Sequence, residues 1–135
     1  MIIDELKKSD KGAYILEFRI DKPLEIEVGN LGTIVFQPGW YYYVGSAMNG
    51  LKARLQRHID GTGRVHWHID YLRRKIPPAR VWYIVTTKYV ERDIVKLVMS
   101  KCKTGVKGFG CSDDPASKTH LFFSRRRQNF RLEEF

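Results

Sequence analysis

Alternating strands, a hairpin turn and two helical stripes mark this 135-residue chain as α+β, with a mainly antiparallel central sheet flanked by helices. Apolar residues recur at every second position over 14–20 and 24–28, the period of a pleated strand, and 33–36 follows as a short β-prone run. Gly29-Asn30-Leu31-Gly32 stands between the last two of these runs and reads as a turn. Apolar residues three and four apart recur over 51–59 and 90–100, the spacing of helices laid on a core.

Taken in order, Tyr14, Leu16, Phe18 and Ile20 alternate with Ile15, Glu17 and Arg19, so the first strand is expected to rest one face on a core. Asp21-Lys22-Pro23 punctuates it. Leu24, Ile26 and Val28 alternate with Glu25 and Glu27, and 33–36 reads as the return strand of an inserted N-terminal hairpin. Pro38-Gly39 closes the hairpin, and the aromatic run 40–44 is the next strand. Asn49-Gly50 breaks the chain before the first helix. There Leu51, Leu55 and Ile59 form an apolar stripe, with Arg54 and His58 one turn apart along its edge. A second helix over 68–75 turns Ile69 and Leu72 inward and stops at Pro77-Pro78. Residues 79–85 read as a central strand from their β-branched and aromatic content. The third helix covers 90–100, with Ile94, Leu97 and Val98 inward and Glu91 in the first turn, where a carboxylate suits the helix dipole. Residues 104–115 read as loop, 120–123 as a last strand and 124–129 as a basic tail.

The length fits a single domain over 1–135, which can bury roughly two-thirds of its unfolded surface without disulfides or a structural metal. Lys and Arg number 24 against 15 Asp and Glu, a net charge of +9. Such an excess favours polyanions, nucleic acid before an anionic membrane surface. Cys102 and Cys111 make no disulfide framework. The N-terminus lacks the apolar run of a signal peptide, and no stretch approaches the roughly 20 apolar residues of a membrane span. A cytoplasmic protein with no membrane partner is expected.

Chemistry concentrates in Tyr41-Tyr42-Tyr43-Val44-Gly45-Ser46-Ala47 and the helix carrying Arg54 and His58. Tyr, Gly, Arg and His meeting at a strand-to-helix junction can bind a phosphate and act on it. Arg54 can stabilise the charge of a phosphodiester transition state through paired hydrogen bonds. Gly45 lets the backbone approach a phosphate, and Ser46 can donate a hydrogen bond there. Arg57, Arg73, Arg74, Arg125 and Arg126 are candidates to grip a nucleic-acid backbone. His68 is a candidate to touch the substrate or hold a nearby loop, and Asp70 to cap the second helix. Each has a plainer alternative: Tyr14 and Tyr43 as core aromatics, Arg54 as a surface ion-pair partner, His58 as a solvated helix residue, Glu91 as a helix-dipole complement. A zinc site from His66, His68, Cys102, Cys111 and His120 fits no standard ligand spacing.

Gly12-Ala13-Tyr14 and Tyr43-Val44-Gly45 resemble the two halves of the GIY-YIG nuclease signature, Gly-Ile-Tyr on one strand and Tyr-Ile-Gly on the next. That family places an Arg on the first helix, often a His one turn later, and a Glu on a later helix; Arg54, His58 and Glu91 match. Gly39, Trp67-His68-Ile69-Asp70-Tyr71-Leu72 and Gly108-Phe109-Gly110-Cys111-Ser112-Asp113 with His120-Leu121 resemble a small, mostly archaeal, Uri-type branch, so the resemblance covers nearly the whole chain. Ala13 stands where the family has Ile. The 24–36 hairpin lengthens the gap between the half-motifs, as it does in that branch. The branch's Ser-Asp-Cys-x-Cys loop is absent: Asp114 stands at its first Cys and the second is missing, so no metal or redox role is expected of that loop.

The resemblance implies a metal-dependent DNA endonuclease. Tyr14 would be its general base or water positioner, Tyr43 a positioner of phosphate or water, His58 an assistant that helps deprotonate the tyrosine or binds phosphate, and Glu91 the one carboxylate holding Mg²⁺ or Mn²⁺ among waters. It also implies a place in DNA repair, with branched, damaged or single-stranded DNA as substrate and a repair protein as partner. The rival expectations are a catalytically inactive nucleic-acid-binding module of the same fold and a protein–protein adaptor.

Overall fold

The computed structural model describes residues 2–102, 104–110, 118–133 and 135. Its strand β1 (Gly12–Ile20) is buried along nearly its whole length, because both faces are covered. Tyr14, Leu16, Phe18 and Ile20 face one core, and Ala13 and Ile15 face another. The expected single buried face is thus corrected to two. Glu17, the residue that suggested a solvent face, is fully buried, because two guanidiniums neutralise it there.

β2 (Leu24–Glu27) and β3 (Thr33–Phe36) pair as a separate antiparallel hairpin. β4 (Gly39–Ala47) returns along β1. α1 (Leu51–Asp60) and α2 (His68–Lys75) follow, then β5 (Arg80–Val85), α3 (Glu91–Lys101), β6 (Thr104–Gly105) and β7 (Leu121–Ser124). The main sheet runs β5-β1-β4-β7-β6, and every neighbouring pair in it is antiparallel. The fold is α+β, with three helices flanking an antiparallel five-stranded sheet.

Leu51 and Leu55 of α1, Ile69 and Leu72 of α2, and the hairpin's Ile26 and Phe36 pack on the Tyr14 face of the sheet. Ile94, Val95 and Val98 of α3 pack on the other. Full burial of one such side chain contributes about 1.5–3 kcal/mol. Gly61, just past α1, takes a left-handed φ of 65° and donates its N–H to the Arg57 carbonyl, the usual glycine stop. Within α1, His58 is buried while Ile59 is only half-buried, so the stripe is rotated toward the imidazole.

Two further expectations are corrected. Among the described residues, β5 is an edge strand, bonded only to β1. Its aromatic character serves face packing: Trp82 meets Phe130 at 5.2 Å and Tyr42 at 6.2 Å. The basic segment after β7 is no loose tail. Phe130 and Leu132 are buried under the sheet, Gln128 donates its N–H to Tyr42 Oη at 2.7 Å, and Arg127 reaches Glu17 at 3.0 Å. Among the described residues, no helix is long and apolar enough to cross a membrane.

Candidate active site

β1 and β4 pair so that Tyr14 lies opposite Gly45. Directly opposed residues share a sheet face, so the Tyr14 ring folds over Gly45. A Cβ at Gly45 would fall 2.5 Å from both Cζ and Oη of Tyr14, which reserves the position for glycine on space alone. Tyr43 stands two residues earlier on the same face, its ring 6.5 Å from that of Tyr14 and braced by the edge of Phe109 at 6.2 Å. From α1, His58 places Nε2 2.9 Å from Tyr14 Oη. One turn earlier, Arg54 donates from Nη1 to the Ser46 carbonyl at 3.3 Å.

Burial pushes the Tyr14 phenol up to about 12. The Arg54 guanidinium opposes that shift through charge and hydrogen bonding, and the Glu91 charge adds to it. Tyr43 is raised well above its ordinary value, by burial first and then by the charges of Tyr14 and Glu91. His58 is pushed down to about 3, by burial first and then by the Arg73 cation, so its ring is neutral at pH 7. Its Nδ1 is buried without a hydrogen-bond partner among the described residues.

Glu91 opens α3 and comes from the opposite face of the sheet, yet its charge acts on both phenols. Its carboxylate is about one-third exposed (32%) and borders a cavity of about 220 Å³ between the start of β1, the end of β4 and residues 88–92. His120, just before β7, is buried behind it. A carbonyl can only accept, so His120 Nδ1–H donates to Val44 O at 3.2 Å, and Glu91 Oε1 lies 3.8 Å from the same nitrogen. Among the described residues, no group of three or more His, Cys, Asp or Glu could hold a metal ion. A lone carboxylate beside open space suits a hard ion that keeps most of its waters.

Residues 13–134 match the family model described as a domain of unknown function, DUF123. The chain belongs to the DUF123 family. No curated protein and no solved structure matches it. The matched span of the DUF123 chain includes Tyr14, Tyr43, Arg54, His58 and Glu91, and leaves Gly12 outside.

The candidate phosphate-binding residues of this DUF123 chain separate into groups. Gly45 lies against the Tyr14 ring, and Ser46 meets Arg54 through its carbonyl and lines the cavity. Arg57 and Arg74 stitch the loop after α1, donating to the Arg64 carbonyl at 3.2 Å and the Gly63 carbonyl at 2.9 Å. Arg73 is removed from the set. Its side chain has no exposed surface and donates to Asp70 Oδ1 at 2.7 Å, so it cannot reach a nucleic acid. Asp70 also accepts the His66 and Trp67 N–H groups at 2.7 and 2.8 Å, which caps α2. His68 accepts the Gly110 N–H on Nδ1 at 2.8 Å, holding that loop near Tyr43. Arg125 and Arg126 are exposed just after β7, whose end pairs with Trp40 at the far end of β4 from Gly45. Cys111 and Asp114 lie outside the described residues.

Tyr89 carries no sequence signal, and His120, which stands in the His120-Leu121 pair and among the imagined zinc ligands, is tied to Glu91 by the fold and not by any local pattern.

Proposed function

We propose that this DUF123 chain is a metal-dependent DNA endonuclease of GIY-YIG type that hydrolyses phosphodiester bonds. One observation carries the reading: Tyr14 from β1, Tyr43 from β4, Arg54 from α1 and Glu91 from α3 interact electrostatically around one end of the sheet. Four elements distant in sequence deliver a phenol pair, a guanidinium and a carboxylate to one place. The net charge of +9 suits a polyanionic substrate.

The residues divide the work as follows. Arg54 is steadied by the Ser46 carbonyl and keeps further N–H donors for phosphate oxygens. These donors act where charge grows in the transition state. Tyr14 takes the proton of the attacking water. At about 12 its phenol is protonated at neutral pH, so the oxygen needs help to act as a base. His58 Nε2, 2.9 Å from that oxygen, supplies part of it by accepting the phenol proton, which leaves a phenolate to take the proton of the attacking water. Tyr43 positions the phosphate or the water. Glu91 would hold Mg²⁺ or Mn²⁺, which would supply positive charge that acidifies phenol and water and neutralises the phosphate. Buried His120 limits the movement of the Glu91 carboxylate.

The test is nicking of supercoiled plasmid and of a branched oligonucleotide by purified protein, with Mg²⁺, Mn²⁺ or EDTA. Divalent-dependent cutting that Glu91→Ala abolishes supports the reading. Equal cutting by wild type and Glu91→Ala contradicts it. Steeply salt-dependent binding with no cutting in either metal would instead mark a nucleic-acid-binding module.

A further inference from the structure

We infer that the cavity beside Glu91 receives one unpaired nucleobase, stacked on Tyr89, so that the protein selects DNA with an unpaired nucleotide next to the bond it cuts. This rests on the nuclease reading and names its substrate class. Tyr89 is 85% exposed, the most exposed of the large hydrophobic residues among those described. A single exposed aromatic on a surface needs no explanation. This one lines the cavity that Glu91 borders, two residues from the carboxylate. Lys88 and Arg92 flank it in the same lining and bring positive charge to the cavity mouth. Ser46 and Met48, from the end of β4, form another part of the wall.

The cavity of about 220 Å³ is smaller than a pocket for a drug-sized ligand, and suits a fragment such as one base. Bases stack on tyrosine faces whatever their identity, so the site would read pairing state and not sequence. A base inside an intact duplex is held by its neighbours. A base in a flap, mismatch or strand end reaches the phenol at little cost.

The experiment uses the full chain and two oligonucleotide substrates, a perfect duplex and the same duplex with one unpaired 2-aminopurine. Cleavage rates with Mn²⁺ and quenching of 2-aminopurine fluorescence in EDTA are measured for wild type, Tyr89→Ala and Tyr89→Phe. Wild type is expected to quench the probe and to prefer the unpaired substrate. Tyr89→Ala is expected to reduce that preference about tenfold and lose the quenching, and Tyr89→Phe to retain both. Tyr89→Ala with wild-type quenching and preference overturns the inference and leaves the nuclease reading standing. Wild type that cuts neither substrate overturns the nuclease reading, and the inference with it.

Discussion

Tyr14 Oη and His58 Nε2 lie 2.9 Å apart across 44 positions of chain, and the imidazole's other nitrogen is buried without a partner among the described residues. An imidazole so placed titrates at about 3 in the folded protein against 6.5 when free. Above pH 6.5 both states are neutral, and the full stability is present. As pH falls the unfolded chain takes the proton first, and stability drains away until the folded pKa is passed. The loss is about 2 kcal/mol at pH 5 and at most about 5 kcal/mol near pH 3. Urea unfolding of wild type and His58→Phe at pH 7 and pH 5 measures it. Wild type is expected to lose about 2 kcal/mol more than the variant over that interval. Equal losses would contradict the assignment.

Gly45→Ala tests the close approach beneath Tyr14. The new methyl group requires the phenol to move, because it would sit 2.5 Å from Cζ and Oη. Nicking should slow at least tenfold, with a stability loss of about 1–3 kcal/mol. A variant with wild-type kinetics would show that the ring's position does not matter to cutting.

Glu17→Gln tests the buried ionic network on the other sheet face. Glu17 accepts from Arg80 at 2.9 and 2.6 Å, from Arg127 at 3.0 Å and from Tyr42 at 2.9 Å. Burial raises its pKa, but the hydrogen bonds from Arg80, Arg127 and Tyr42 outweigh it, and the net shift is downward from 4.5. This stabilisation is therefore present above pH 4.5 and lost as pH falls through the depressed value. The variant should lose about 1–3 kcal/mol at pH 7, because the charge-assisted hydrogen bonds to Glu17 weaken while both guanidiniums keep some access to water. Its acid sensitivity should be flatter than that of wild type, as thermal melts at pH 7 and pH 4 would reveal.

Arg73→Ala and Arg126→Ala should fail in different ways. Arg73 is sealed against Asp70, so its loss should cost about 3–5 kcal/mol of stability. Arg126 is exposed, so its loss should leave stability within about 0.5 kcal/mol and lower the salt dependence of DNA binding by about one ion. Fluorescence anisotropy across a salt series separates the two. Wild-type binding slopes for Arg126→Ala would remove the tail arginines from the interface.

Local patterns carried much of this fold. Among the described residues, every strand longer than two residues and all three α-helices are legible from alternation, β-branched and aromatic content, helical spacing and Gly or Pro stops. Partners were not legible. The edge position of β5 depends on which strands flank β1, and no residue within 80–85 records that. Glu17 and Arg73 look like surface charges, because the counter-ions of Glu17 arrive from 63 and 110 positions away and that of Arg73 depends on a buried helix face. Tyr14, Tyr43, Arg54 and Glu91 stood out through motif resemblance, whereas Tyr89 acquires meaning only from the cavity it lines, and His120 owes its place behind Glu91 to the fold.

The most direct measurement is the single-turnover nicking rate, in Mn²⁺, of Tyr14→Phe, Glu91→Gln and the double variant. If the two residues serve one site, each single variant is slowed at least a hundredfold and the double is about as slow as the slower single. Either single variant cutting plasmid at the wild-type rate would contradict the shared site and the nuclease reading built on it.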